Sequence, residues 1–348
     1  MVSWFSKPCS PIGVDIGSRS IKLLQLDGSC TDLWEAARWD VADTTEPQER
    51  DDAVVDALQR ARQGRNFRGR EAVFCISGRD LFVQNIRVPQ AEGDDLRKIV
   101  HFEAAGRLPF SSDQAEIRYL EAADVRQGDT IRREVILMAC PRPAVERILA
   151  IAQRAALVPL AIDVEPAALL RCYAKQHRRD EDQQSRVMYV NIGAATTTIV
   201  IARGTDSMFI KYVDVGGGQL DEAVAAHLEM PPADAVTLRR HNGDRRADQR
   251  DPEIMRSLGE AIRPVLERLA HELSLCIRYY SVTFRGQQLS RIVLGGGEAS
   301  AMLADWLSSR LDLPCEIGNP LRTFPKTPPA GPPTQWDVAA GLALRTIN

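Results

Sequence analysis

Lysine is scarce in this chain: only six of its 44 basic residues are lysines (Lys7, Lys22, Lys98, Lys175, Lys211 and Lys326), which leaves 38 arginines. Against 47 acidic residues the formal net charge is −3, too balanced for a surface dominated by nucleic acid or anionic lipid. No uninterrupted apolar run reaches the ~20 residues of a membrane helix. The N-terminus lacks both a charged-then-apolar signal pattern and a small-residue cleavage site. The expectation is a protein that stays in the cytosol, with the opening Trp4-Phe5 segment a frayed tail. The seven cysteines are scattered, odd in number and never in a C-x-x-C pair, which removes a disulfide framework and a zinc site and leaves small, mostly buried hydrophobes. Also absent are G-x-x-x-x-G-K-[ST] and G-x-G-x-x-G, so the P-loop and dinucleotide-binding solutions are poorly supported.

What is present is a chain of 348 residues, 44% hydrophobic, long enough for two domains or one bilobal body. IGVDIGSRSIKLLQL (12–26) reads as strand, Gly-Ser turn and strand, and VMYVNIGAATTTIVIAR (187–203) repeats that layout. The charged HRRDEDQQSR (177–186) is the expected loop between halves, its signs too mixed for a nucleic-acid arm. Between the repeats, residues 71–77 predict a strand, 81–90 an extended segment, 94–108 a helix, 116–122 and 134–139 a strand pair, 143–156 a helix and 158–164 a strand. Residues 86–160 therefore form an expected inserted α+β unit. After the second repeat come a strand at 207–215 and a helix from Gln219, then a polar stretch at 241–253 expected to be mobile. A strong helix follows, with Leu258, Ile262, Val265, Leu266, Leu269, Leu273, Cys276, Ile277 and Tyr280 on one core stripe. A strand at 291–294, a helix at 300–311, a proline-rich loop at 324–334 and a small-residue helix at 336–345 complete the chain.

Three glycine-containing turns each follow an apolar strand: Asp15-Ile16-Gly17-Ser18, Asn191-Ile192-Gly193-Ala194 and Gly295-Gly296-Gly297. Such turns present backbone N–H groups at strand ends, where an anion can approach. One alone is more often a hairpin; three in this order, within repeated halves, carry more weight.

These segments resemble the actin-like ATPase superfamily: 12–26 its first phosphate motif, 187–203 its second, IVLGGGEASAML (292–303) its adenosine motif, and IDVEPAALLRCY (162–173) and WDVAAGLALR (336–345) its connecting helices. RVPQAEGDDLRKIVHFEAAGRLPF (87–110) and the stretch 135–169 resemble the small subdomain of the PilM family of type IV pilus assembly proteins and the related FtsA division proteins. The resemblance implies an α/β fold of two lobes, each with an RNase H-like mixed sheet, plus the insertion. Residues 1–85 would form the first lobe, completed by 161–185 and 335–348. Residues 186–215 and 290–334 would form the second lobe's large subdomain, and 216–289 its small one.

The resemblance also implies ATP with Mg²⁺. Asp15 would hold hydrated Mg²⁺, since this ion keeps waters and takes few carboxylates, a reading favoured over the alternative of a turn-stabilising Asx residue. Gly17, Ser18 and Lys22 would meet phosphate, with an exposed strand lysine as the alternative for Lys22. Gly193, Ala194, Thr196, Gly217, Arg239, Gly295, Gly296 and Gly297 complete the implied nucleotide contacts. Glu165 stands where members orient the attacking water, and equally where a helix places an N-terminal carboxylate before Pro166. Two departures weaken the pattern. Asn191 replaces the usual aspartate of the second phosphate turn, and Val236 replaces the glutamate of the Ala-Glu-x-x-Lys segment, leaving Arg239 as its cation. The expectation is at most a weak ATPase, with ATP and Mg²⁺ retained weakly or lost.

The family binds the N-terminal cytoplasmic tail of a PilN-like inner-membrane partner. The resemblance places that groove between the first lobe and the insertion, with Val88, Leu96, Ile99, Val100 and Phe102 as candidates, although apolar residues at helical spacing are more often core than interface, so only some of them can serve; it leaves self-association open. Such a protein would be cytoplasmic and peripheral to the inner membrane. The alternatives are a kinase or active ATPase of the superfamily, for which no catalytic aspartate stands out, and an FtsA-like protein, for which the expected terminal amphipathic helix is missing. A secretion-system protein of related fold is a further reading.

Overall fold

The computed structural model describes residues 9–346 apart from 43, 45, 178, 245–250, 285–286 and 327–330, with the backbone alone described at 241–244. The opening tail, much of the polar 241–253 stretch and part of the proline-rich loop thus lie outside the described residues.

Alternating apolar residues in the first repeat give β1 (Ile12–Ile16) and β2 (Ser20–Leu26), joined by the tight Gly-Ser turn. β2 pairs antiparallel with β3 (Leu33–Asp40), and on its other side β1 runs parallel to β4 (Glu71–Ile76), which pairs with β8 (Val158–Val164). The sheet order is β3-β2-β1-β4-β8. The second half repeats it with β9 (Arg186–Ile192), β10 (Thr197–Arg203), β11 (Asp206–Val213), β12 (Arg291–Gly295) and β13 (Cys315–Ile317), in the order β11-β10-β9-β12-β13. In each half the first two strands make an antiparallel hairpin and the first strand then pairs in parallel with the fourth. The two mixed sheets are those expected of two actin-like lobes. β3, an edge strand that alternation alone did not reveal, completes the first.

Helix α1 (Pro47–Arg62) buries Val54, Val55, Ala57, Leu58 and Ala61 on the first sheet. α4 (Glu165–Ala174) and α10 (Asp337–Ala343) lie between the sheets and cross closely: a Cβ on Gly341 would stand 1.9 Å from the Ala168 carbonyl oxygen. Only glycine lets those backbones meet. In the second lobe α6 (Gly217–His227), α7 (Pro232–Asp244) and α9 (Ala301–Leu311) accompany α8 (Pro252–Thr283), which is capped by Asp251. The expected stripe of α8 is buried, with Leu269, Leu273, Cys276 and Tyr280 in the lobe's core, apart from Val265 and Ile277, which pack against it half-buried.

The insertion has its own three-stranded sheet, β5 (Phe82–Pro89), β7 (Thr130–Pro141) and β6 (Ala115–Gln127) in that order, covered by α2 (Gly93–Ala105). Its start is four residues ahead of the expected 86. α3 (Arg142–Arg154) and β8, expected to end the insertion, instead pack with the first lobe, whose core takes Ile148, Ile151 and Ala152. The insertion also meets the second lobe. Glu134, fully buried, accepts hydrogen bonds from Arg87 Nε at 2.9 Å and from the Tyr279 hydroxyl of α8, while Arg87 Nη2 donates to Thr283 Oγ1 at 2.8 Å. Such a buried carboxylate persists only because each oxygen is paired.

One loop expectation is corrected. Within 177–186, Asp180–Gln184 forms a short helix, α5, because its acidic first turn suits the positive helix end and Asp182 Oδ2 accepts the Arg179 backbone N–H at 3.2 Å.

Candidate functional site

The ends of β1, β9 and β12 open into one cleft of about 1420 Å³, lined among others by Asp15, Lys22, Glu165, Gly193, Arg239 and Asp337. The three glycine turns therefore do converge. The first two share a geometry: Gly17 N donates to Ser20 O and Gly193 N to Thr196 O, both at 3.0 Å. Arg50 of α1 pins the first turn by donating to the Gly17 and Ser18 carbonyls at 2.8 and 2.6 Å.

At the cleft floor, strand pairing sets Asp15 opposite Lys22, and Nζ lies 2.7 Å from Asp15 Oδ2. Glu165 begins α4 and accepts from Thr198 Oγ1 at 2.8 Å. Burial pushes its carboxyl from 4.5 up to about 8, with Asp15 and Asp337 adding to the rise and Thr198 and Lys22 opposing it. Asn191 is buried and donates through Nδ2 to Asp337 Oδ2 at 2.7 Å. Asp337 also accepts from Gly296 N at 3.0 Å and Val338 N at 2.8 Å. Burial carries the Asp337 carboxyl up to about 7, against the Val338 hydrogen bond and the Lys22 charge.

Sequence reasoning passed over Asp337, although it stands in the quoted WDVAAGLALR segment, where it reads as an ordinary first-turn acid. The structure sets its carboxyl against the Asn191 amide at the second turn. Several backbone donors of the glycine segments are already engaged. Gly217 and Gly218 donate to the Gly193 and Ala194 carbonyls at 3.0 and 2.7 Å, Gly216 N to Gln219 Oε1 at 2.9 Å, and Gly296 N to Asp337. Gly296 sits at φ +86°, and a side chain there would strike the Ile192 backbone. Ser18, Ala194, Thr196 and Gly297 line the cleft, while Gly295 packs below it against Asp337 and Tyr173.

At the other end of the cleft, Arg239 is not free to meet a ligand. Its Nε lies 2.6 Å from Asp221 Oδ1 and its Nη1 2.8 Å from Glu298 Oε2. Burial alone would lower its pKa, yet these two carboxylates hold it above its ordinary value. Glu298, quoted in the GGGE turn but given no role, was the missed signal: a carboxylate placed directly after the glycines.

The groove candidates require correction. Val88, Leu96 and Val100 are fully buried in the insertion's own core with Ile86, Val135 and Leu137, so they present nothing to a peptide. Ile99 is half-buried against that core and Phe102 is 80% exposed. The helical spacing of Leu96, Ile99 and Val100 is that of a packed face.

A family model described as type IV pilus assembly protein PilM matches residues 13–347. The chain belongs to the PilM family. Its fold is similar to that in a solved PilM-PilN type IV pilus biogenesis complex, with TM-score 0.77, 23% identity, and coverage of 97% of this chain and 99% of that one. It is also similar to ethanolamine utilization protein EutJ from Carboxydothermus hydrogenoformans, with TM-score 0.58, 16% identity, and coverage of 99% and 92%. A third similarity is to MreB 5 of Spiroplasma citri bound to AMPPNP, with TM-score 0.52, 10% identity, and coverage of 97% and 95%. These likenesses establish the actin-like ATPase fold for this PilM-family chain.

Whether the residues present suit ATP and Mg²⁺ divides the cleft in two. The phosphate end offers the Gly17 and Gly193 turns, Lys22 and the Asp15 carboxylate, and suits a phosphate with a hydrated cation. Among the described residues, however, no three potential ligands come together to hold a metal directly. At the other end Glu298 packs against the start of α6, where a Cβ on Gly217 would lie 2.2 Å from Glu298 Oε1. Among the described residues no helix is long and apolar enough to cross a membrane.

Proposed function

We propose that this PilM-family chain is a cytoplasmic scaffold of a pilus or related secretion machine, peripheral to the inner membrane, that binds the N-terminal cytoplasmic tail of a PilN-type membrane partner. We propose further that its nucleotide chemistry is weak or lost. The observation that carries the reading is the family match across 13–347, and the partner class is taken from the solved PilM-PilN complex. The chemistry of the cleft supports the second half: Lys22 is neutralised by Asp15, Asn191 supplies an amide where a carboxylate is usual, and Arg239 is held by two carboxylates. For the groove, the exposed Phe102 beside half-buried Ile99 is the part of the original set that a peptide reaches.

Fluorescence-polarisation titration with a labelled peptide of the partner's cytoplasmic N-terminus tests the docking role, and inorganic phosphate release tests the cleft. Saturable peptide binding that is indifferent to Mg-ATP, with phosphate release at background, is the expected result. Phosphate release at the rate of an active actin-like ATPase, abolished by Asp15→Ala, would overturn the second half. Absence of peptide binding would overturn the first.

A further inference from the structure

Five charged side chains from four parts of the chain meet at the nucleoside end of the cleft. Arg19 comes from the β1–β2 turn of the first lobe, Asp221 from α6, Arg239 and Arg240 from α7, and Glu298 from the turn before α9. The Asp221 and Glu298 side chains are 4% and 5% exposed, and each lies between arginines. Asp221 Oδ1 accepts a hydrogen bond from Arg239 Nε at 2.6 Å, while Arg19 Nη2 stands 2.6 Å from Oδ2 as an ion pair without hydrogen-bond alignment. Glu298 takes Arg239 Nη1 at 2.8 Å on Oε2 and Arg240 Nη2 at 3.1 Å on Oε1, and Arg19 Nη1 stands 3.9 Å from the same Oε1.

Three features distinguish this cluster from a surface ion-pair network. Its carboxylates are almost out of water, where an unpaired charge is costly. Arg19 also crosses from the first lobe to the second, so separating the lobes there would leave Asp221 with one arginine fewer. The packing is tight as well, since Glu298 occupies the space next to Gly217 that any added side-chain atom would need.

We propose that this cluster is a built-in strut between the lobes: the chain's own guanidinium and carboxylate groups fill the nucleoside end of the cleft and hold the two lobes together without a nucleotide. A purine nucleotide then enters only by displacing Glu298 from Gly217 and breaking the Glu298–Arg239 pair. Bridging the lobes becomes a property of the folded chain, independent of ligand. The proposal deepens the reading of a weakened nucleotide site and rests on it, but it makes no use of the partner peptide.

Two variants separate the parts of the strut. Arg19→Ala removes the arm that crosses between lobes and leaves Glu298 and Arg239 paired. Glu298→Ser removes the side chain that covers Gly217. Hydrogen exchange of the α6 amides at 217–220 is measured in the full chain without nucleotide, and Mg-ATP binding is followed by titration calorimetry with inorganic triphosphate as a probe lacking the nucleoside. In the native protein Mg-ATP is expected to give no saturable heat up to about 1 mM, while Glu298→Ser binds Mg-ATP at least about tenfold better than triphosphate. Exchange at 217–220 should rise at least about tenfold in Arg19→Ala. Micromolar Mg-ATP binding by the native protein, or unchanged exchange in Arg19→Ala, overturns the strut and leaves the docking reading intact. Should Glu298→Ser not fold, Glu298→Gln keeps the volume and drops the charge, and the same rise or absence of rise in exchange decides.

Discussion

Replacing Glu165 by glutamine is expected to leave stability unchanged below about pH 4.5 and to raise it by a growing margin as the pH climbs towards about 8. The Glu165 carboxyl is pushed from 4.5 up to about 8, first by burial at the cleft floor. The folded protein therefore keeps a proton that the unfolded chain releases near the ordinary value. Stability from this proton is complete below about pH 4.5 and is lost as pH rises through about 8, since over that window the folded state binds more protons than the unfolded one. With about 1.4 kcal/mol per pKa unit, the native protein should lose roughly 2.5 kcal/mol from this group between about pH 6 and about pH 8.5. Glutamine matches the protonated form in shape, still accepts from Thr198, and has nothing to release. Urea unfolding of both proteins at the two pH values provides the test. The variant should already exceed the native protein by about 2 kcal/mol at the lower pH and by roughly 4.5 kcal/mol at the higher one. The same fall in stability in both proteins would mean that residue 165 is ionised throughout, and would refute the desolvation argument.

Leu96→Ala, which empties a fully buried position in the insertion's core, should cost about 3 kcal/mol. Phe102→Ala, at an 80% exposed site, should stay within about 0.5 kcal/mol and alter only peptide binding; thermal melts alongside the peptide titration separate the two. Gly341→Ala places a methyl 1.9 Å from the Ala168 carbonyl oxygen and should prevent α4 and α10 from crossing, whereas Gly297→Ala meets nothing within 4 Å and should be tolerated. Soluble yield and melting temperature of the two glycine variants check this pair.

The parts of the fold that were legible in the sequence were those whose pattern is local. The repeated strand–turn–strand segments, the three glycine turns and the stripe of α8 each carry their signal within a short window, and the repeat made the two sheets recognisable. Edge strand β3 carries little such signal: its Leu33, Ala36 and Ala37 are buried while Trp34 and Trp39 stay largely exposed, so alternation is broken. The boundary of the insertion was misplaced because α3 has an apolar face that suits either neighbour, and only tertiary packing assigns it to the first lobe. Leu96 and Val100 show the converse case: the resemblance offered them to a groove, whereas their helical spacing describes the insertion's core. Asp337 and Glu298 were illegible as a site because their significance lies in partners 146 and 59 residues away, Asn191 and Arg239.

Asn191 alone would suggest a site that has lost a negative charge, but Asp337 approaches the same amide from α10 and restores a carboxyl. What changes is the state of that carboxyl. An aspartate on an open strand end is held ionised by water, whereas Asp337 is buried and carried up to about 7, leaving it divided between its charged and neutral forms near neutral pH. Glu165, at about 8, is mainly neutral there, and Asp15 is paired with Lys22 at 2.7 Å. Three carboxyl groups around one lysine thus supply little net negative charge, and affinity for a hard divalent cation depends on that charge. The weak nucleotide chemistry proposed for this chain then has two independent physical sources, desolvation of the acids at the phosphate end and occupation of the nucleoside end by Glu298. Restoring aspartate at position 191 would place a second carboxylate against Asp337 in a buried site, where like charges repel. That single reversal is therefore a poor route to an active site unless Asp337 is also replaced.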